Sequence, residues 1–149
     1  MITINVLLVD DEERFLSTTK IILEKRGFKV NTALQGVEAL DILEKQRIDV
    51  VILDVKMPGL DGISVLRKIK ERHQQVEVIL LTGHASVETA VNGLKIGAFD
   101  YLMKPCDIAK LLAKINLACS QKTHAEEQIR KAKIDKIISH PWAVFDDDK

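Results

Sequence analysis

Hydrophobic and polar positions come in short alternating blocks along this chain, and the apolar runs end on polar or charged residues. The run Val50-Val51-Ile52-Leu53 holds no polar position and stops on Asp54, with the turn signal Pro58-Gly59 shortly after. Four consecutive apolar residues predict a strand covered on both faces, as in a parallel sheet, better than a strand with one solvated side. Ile4 to Val9 reads the same way and runs into Asp10, Asp11, Glu12 and Glu13. Two strands therefore deliver carboxylates to their tips.

Between these strands the apolar positions switch to helical spacing. Phe15, Leu16, Ile22 and Leu23 predict a helix from Glu13, with acids in the first turn, where the helix dipole favours them, and Gly27 where a left-handed C-cap belongs. The alternation continues with a strand over 28–32, a helix over about 37–45 with Leu40 and Leu43 inward, the strand 49–54, and a helix from 63 to about 72 carrying Val65, Leu66 and Ile69. A strand over 76–81 ends on Thr82-Gly83, and a helix starts near the N-cap residue Ser86 and stops at Gly97. A short strand over 99–103 ends on Lys104-Pro105, and Asp107 caps a fifth helix whose apolar face is Ile108, Leu111, Leu112, Ile115 and Leu117.

Five strands alternating with five helices of this length predict an α/β fold: a doubly wound five-stranded parallel sheet with right-handed crossovers and helices on both faces, flavodoxin-like. In such sheets the crevice for chemistry lies at the carboxyl ends of the strands, near a topological switch point. With the strand order 2-1-3-4-5, Asp10, Asp11, Asp54, Thr82 and Lys104 converge there.

Length and charge narrow the setting. The 149 residues suit one domain, expected over 1–120, followed by a charged helical or partly disordered extension over 121–149 with sparse apolar positions at Ile129, Ile134, Ile137 and Ile138. The 22 basic and 22 acidic residues cancel, so no global field draws in nucleic acid or an anionic membrane, and any electrostatic function is local. Cys106 and Cys119 are too few for a disulfide framework, are spaced unlike a metal pair, and are read as packing residues. No apolar run reaches the ~18–20 residues that span a bilayer and the N-terminus lacks the basic region of a secretory signal, so the expectation is a cytoplasmic protein.

The chemistry follows from the strand ends. Gathered carboxylates repel one another and raise each other's pKa unless a cation joins them. An all-oxygen donor set without His or Cys suits Mg²⁺ rather than Zn²⁺, with Mn²⁺ as a substitute. With the cation in place, Asp54 can act as nucleophile toward a phosphoryl group. Lys104, the Thr82 hydroxyl and backbone N–H groups then neutralise the transferring oxygens.

Val9-Asp10-Asp11, Leu53-Asp54 with Met57-Pro58-Gly59-Leu60-Asp61-Gly62, Leu81-Thr82-Gly83, Gly97-Ala98-Phe99-Asp100-Tyr101 and Lys104-Pro105 together resemble the receiver domain of two-component response regulators. The resemblance covers residues 4 to about 119. It implies that Asp54 is the phosphoacceptor, and that Asp10, Asp11, the Asp54 carboxylate and the backbone carbonyl of Lys56 form the metal site. It further implies that Thr82 and Tyr101 are a switch pair, that Lys104 contacts the phosphoryl group, and that the bond to Pro105 is cis. The phosphoryl donor would be a sensor histidine kinase or a phosphotransfer protein, and the chain would be a self-dephosphorylating acceptor rather than a turnover enzyme. Most such domains use helix four, strand five and helix five for output or as a homodimer face, with the extension as a second route to dimers.

Lys56 and His84 flank the approach to Asp54 and are expected to tune phosphoryl lifetime or to be simply solvated. His73, His124 and His140 stand in charged stretches and are read as surface residues. Asp61-Gly62 is read as turn and helix-start chemistry. Among alternatives, a haloacid-dehalogenase-type phosphatase wants its nucleophile after the first strand with a second Asp two residues on, where this chain has Asp10-Asp11-Glu12-Glu13. A flavin carrier needs a phosphate loop in the same place, where four acids would repel it. A receiver truncated from a transcriptional regulator is the alternative reading, and the intact acid set argues against a pseudo-receiver acting only by contact.

Overall fold

The computed structural model describes residues 3–57, 59–83, 87–120 and 132. The backbone divides into two units, Met1–Cys119 and Ser120–Lys149, and the sheet belongs to the first. The chain alternates β1 (Asn5–Val9), α1 (Glu13–Lys25), β2 (Lys29–Ala33), α2 (Gly36–Lys45), β3 (Val50–Asp54), α3 (Gly62–Arg72), β4 (Glu77–Thr82), α4 (Val87–Ile96) and β5 (Asp100–Met103). A fifth helix, α5, occupies 108–120. All four strand pairings are parallel and the order is β2-β1-β3-β4-β5, the doubly wound arrangement expected from the alternation.

Alternate strand residues face opposite sides, so β3 feeds two cores. Val51 and Leu53 pack with Leu7, Val9, Val78 and Leu80 against Val65, Leu66 and Ile69 of α3 and Ala39 and Leu43 of α2. Val50 and Ile52 pack with Val6, Leu8, Ile79 and Leu81 against Leu16 and Leu23 of α1 and Leu111, Ile115 and Ala118 of α5. Every residue of β3 is buried, which is why it reads as an unbroken apolar run. Helix α4 comes so close to the sheet that a Cβ on Gly93 would stand 2.2 Å from Leu80 Cδ1.

The helix ends follow their local chemistry. Asp61 is the N-cap of α3 and accepts from the Ser64 N–H at 3.0 Å, and Asp107 accepts from the Ala109 N–H at 3.2 Å. Gly27 takes φ +93° just beyond α1, a conformation that disfavours any side chain. Two side-chain expectations are corrected. Leu117 is 51% exposed, because it lies two residues beyond Ile115 and so off the 108-111-115-118 stripe that faces the sheet. His73 is the C-cap residue of α3 with only 20% of its side chain exposed, facing Glu44 Oε1 at 3.4 Å, rather than a plain surface residue. The extension over 121–149 lies outside the described residues except for the helical residue 132, and Ser86 lies outside them too. Among the described residues no helix is long and apolar enough to cross a membrane.

Candidate functional site

The sheet's switch point falls between β1 and β3, whose connections leave in opposite directions, and the acids lie at its carboxyl edge. Asp10 follows β1 directly and its N–H continues the ladder to the Ala33 carbonyl at 3.1 Å. Asp54 is the last residue of β3, and the next N–H, that of Val55, reaches the Leu81 carbonyl at 3.3 Å. Thr82 closes β4, and the Lys104 N–H donates to its carbonyl at 2.7 Å. The parallel ladders thus carry past the strand ends and fix where the four candidate side chains begin.

Asp10 is 2% exposed and Asp54 6% exposed, so two acids are held in low-dielectric surroundings. Both oxygens of Asp10 are engaged: Oδ1 accepts from the Glu12 N–H at 3.0 Å and Oδ2 from the Lys104 ammonium at 2.5 Å. The same ammonium stands 3.8 Å from Asp54 Oδ2, while Asp54 Oδ1 accepts from the Lys56 N–H at 3.3 Å. One cation therefore spans two buried carboxylates brought together from 44 residues apart in the chain. Lys104-Pro105 is a cis peptide, as the resemblance implied.

Burial, with the neighbouring Asp10 charge next, pushes Asp54 up to about 6 from 3.8, against the opposing pull of Lys104 and the Lys56 N–H; the Asp11 charge adds to the rise. Burial works to lower the Lys104 pKa, but the bond to Asp10 and the charges of Asp10, Asp54 and Glu12 outweigh it and hold it above the ordinary lysine value. The site is short of positive charge. Carboxylate oxygens of Asp10, Asp11 and Glu12 lie within 4.8 Å of one another, and Asp11 and Glu12 are solvent-facing. An oxygen-only donor set, partly buried and underneutralised, fits a hard divalent cation.

Other sequence-predicted residues are placed differently. Thr82 is fully buried, and its hydroxyl donates to the Gly83 carbonyl at 3.0 Å. Tyr101 pairs with Leu80 across β4–β5 and packs half-buried against the α2–α4 side of the core. Lys56 is exposed, and His84 lies outside the described residues. Cys106 and Cys119 pack against the α1–α5 core as expected. Two residues of the site went unrecognised in the sequence. Glu12 Oε1 stands 3.4 Å from Lys104 Nζ, and the Phe15 ring centroid stands 4.8 Å from it. Their one legible signal was the i, i+3 spacing that leads from the acidic run after β1 into the first turn of α1.

Residues 6–116 match the family model described as the response regulator receiver domain. The chain belongs to that family. It is 40% identical over 121 residues to an NtrX-like response regulator of Rickettsia bellii, which covers 80% of this chain and 25% of that protein. It is also 40% identical over 125 residues to the transcriptional regulatory protein YkoG of Bacillus subtilis, 84% of this chain and 55% of that one. Among solved structures it resembles a response regulator receiver domain protein of Clostridium thermocellum with a TM-score of 0.79 and 40% identity, covering 82% of this chain and 98% of that one. The chain thus spans about a quarter of the length of the NtrX-like relative and about half that of YkoG. Membership sets aside the phosphatase and flavin-carrier readings. Receiver domains are phosphoacceptors rather than turnover enzymes, bind Mg²⁺ at an acidic pocket, and partner with histidine kinases or phosphotransfer proteins.

Proposed function

We propose that Asp54 of this receiver accepts a phosphoryl group from a sensor histidine kinase or phosphotransfer protein, in a reaction that needs Mg²⁺ held by Asp10, Asp11, Asp54 and the Lys56 carbonyl. The observation that carries the reading is the Lys104 ammonium spanning Asp10 and Asp54, both buried at the switch point. A carboxylate oxygen of Asp54 attacks phosphorus, the P–N bond to the donor imidazole breaks, and the departing imidazole takes its electron pair and a proton. Bound Mg²⁺ would supply the positive charge that the crevice lacks. Lys104 leaves Asp10 for the new phosphoryl oxygens, and Thr82 exchanges its bond to Gly83 for one to the phosphoryl group. Tyr101 follows into the space that Thr82 vacates.

The face of α4 and β5 supports the output reading, since Val91, Leu94 and Met103 are 42%, 37% and 38% exposed there. A partner or a second copy meets this receiver on that face, in the cytoplasm and without direct nucleic-acid contact, in keeping with the balanced charge. Lys56 and His84 tune the lifetime of the acyl phosphate. The test of the central claim is intact mass after incubation with a small-molecule phosphodonor and Mg²⁺. Wild type gains one phosphoryl group and Asp54→Asn gains none; undiminished labelling of the variant refutes the assignment.

A further inference from the structure

Lys104 has partners in the crevice besides Asp54. Its Nζ lies 2.5 Å from Asp10 Oδ2, 3.4 Å from Glu12 Oε1 and 4.8 Å from the Phe15 ring centroid, against 3.8 Å to Asp54 Oδ2. Glu12 and Phe15 are three residues apart where α1 begins, so one helix end offers an anion and a ring to the same ammonium. Glu12 is the N-cap residue of α1, yet its side chain makes no capping bond, which leaves the carboxylate to the lysine. The Lys104 side chain is 19% exposed, a partly desolvated setting in which a ring face attracts a cation more than it does in open water.

We propose that Glu12 and Phe15 are positioning residues that hold the Lys104 ammonium on the Asp10 side of the crevice and oppose its transfer to a phosphoryl group on Asp54. The inference rests on the reading of Asp54 as phosphoacceptor and assigns part of the resting state to two residues outside the set Asp10, Asp11, Asp54, Thr82 and Lys104. A phosphoryl group brings roughly −1.5 to −2 charges to Asp54. Lys104 must then move toward it, and the contacts to Glu12 and to the ring weaken while a pair to phosphoryl oxygen forms. No covalent bond of the lysine changes. Because the Glu12 side chain is 66% exposed, its hold is that of a surface ion pair, screened by salt and worth a few-fold rather than acting as a gate.

Glu12 also belongs to the acidic trio, so its removal alone could act through cation affinity. Phe15 carries no charge and separates the two effects. The experiment measures beryllofluoride affinity at saturating Mg²⁺, and solvent exchange of the Lys104 ammonium protons by NMR in the unliganded proteins, with thermal melts to establish folding. Glu12→Gln should raise beryllofluoride affinity roughly two- to fivefold and Phe15→Leu roughly twofold. Both should speed ammonium exchange severalfold, while Glu12→Asp and Phe15→Tyr restore most of the wild-type behaviour. Unchanged affinity and exchange in both variants overturn the proposal, and so does a change confined to Glu12→Gln, since charge at the cation site then accounts for it. If wild type takes neither beryllofluoride nor phosphoryl group, the phosphoacceptor reading fails instead, and the exchange rates alone still decide whether Glu12 and Phe15 hold the lysine.

Discussion

Gly62 lies against the main chain of Asp54: a Cβ at Gly62 would stand 2.4 Å from the Asp54 carbonyl oxygen and 2.7 Å from Val55 Cα. The Gly62 N–H also donates to the Val55 carbonyl at 3.0 Å, so the start of α3 clamps the end of β3. The main-chain position of the buried acid is therefore set by an α-helix that begins eight residues later.

This clamp predicts that Gly62→Ala costs about 1–3 kcal/mol, because the contact is with backbone that cannot rotate away. It should also lower phosphoryl labelling by displacing Asp54. Asp61→Ala should cost about 1 kcal/mol through loss of the Ser64 cap but leave labelling close to wild type. Urea melts and intact-mass labelling of the two variants check this; equal labelling in both would remove Gly62 from the account of the site.

The raised Asp54 pKa makes stability depend on pH with a definite sign. A carboxyl held at about 6 when folded and 3.8 when unfolded favours the folded state below pH ~4, and that contribution is lost as pH rises through about 6. Without divalent cation, the stability of Asp54→Asn relative to wild type should rise between pH 4 and 6 and then level off. The rise should be on the order of 1–2 kcal/mol after allowing for solvent screening at the crevice mouth. Mg²⁺ should narrow the gap above pH 6. A difference that stays flat, or falls, across this range contradicts the burial argument.

Lys104→Met should leave Asp10 buried with only the Glu12 N–H as partner. The expected cost without cation is about 1–3 kcal/mol. Adding Mg²⁺ should recover more stability in the variant than in wild type, since the cation then answers charge that the lysine no longer does. Chemical melts with and without Mg²⁺ measure both quantities, and an equal Mg²⁺ response would show that the lysine and the cation serve separate acids.

Tyr101 is the single tyrosine of the chain, which makes fluorotyrosine a clean reporter. Beryllofluoride with Mg²⁺ should shift its fluorine resonance in wild type. Thr82→Val keeps the volume at this fully buried position but removes the hydroxyl that bonds to Gly83, and should leave the shift small while labelling of Asp54 persists. A full shift in Thr82→Val would detach the tyrosine from the threonine.

Much of the fold was legible because periodicity is local. The buried strand β3 announced itself by four apolar residues in a row, and the caps Asp61 and Asp107 by their place before helical spacing. The stripe on α5 was misjudged at Leu117, where apolar character alone suggested burial and only the helix phase relative to the sheet decided exposure. The acids were legible because each ends a strand. The direction in which the Thr82 hydroxyl points was not, since a buried hydroxyl takes the nearest carbonyl, and Gly83 provides one.

From the sequence alone came the alternation of elements, the strand order expected of it, and the strand-end set Asp10, Asp11, Asp54, Thr82 and Lys104, because hydrophobic period and strand-end position are carried by neighbouring residues; Tyr101 came only from the family resemblance. Only the tertiary structure decided which of these touch. Lys104 meets Asp10 across 94 positions and Glu12 across 92, and that choice of partners depends on how far α1 and the β5–α5 loop lean over the crevice. Distances of a few ångströms between remote segments are set by the packing of whole helices on the sheet, which no local pattern encodes.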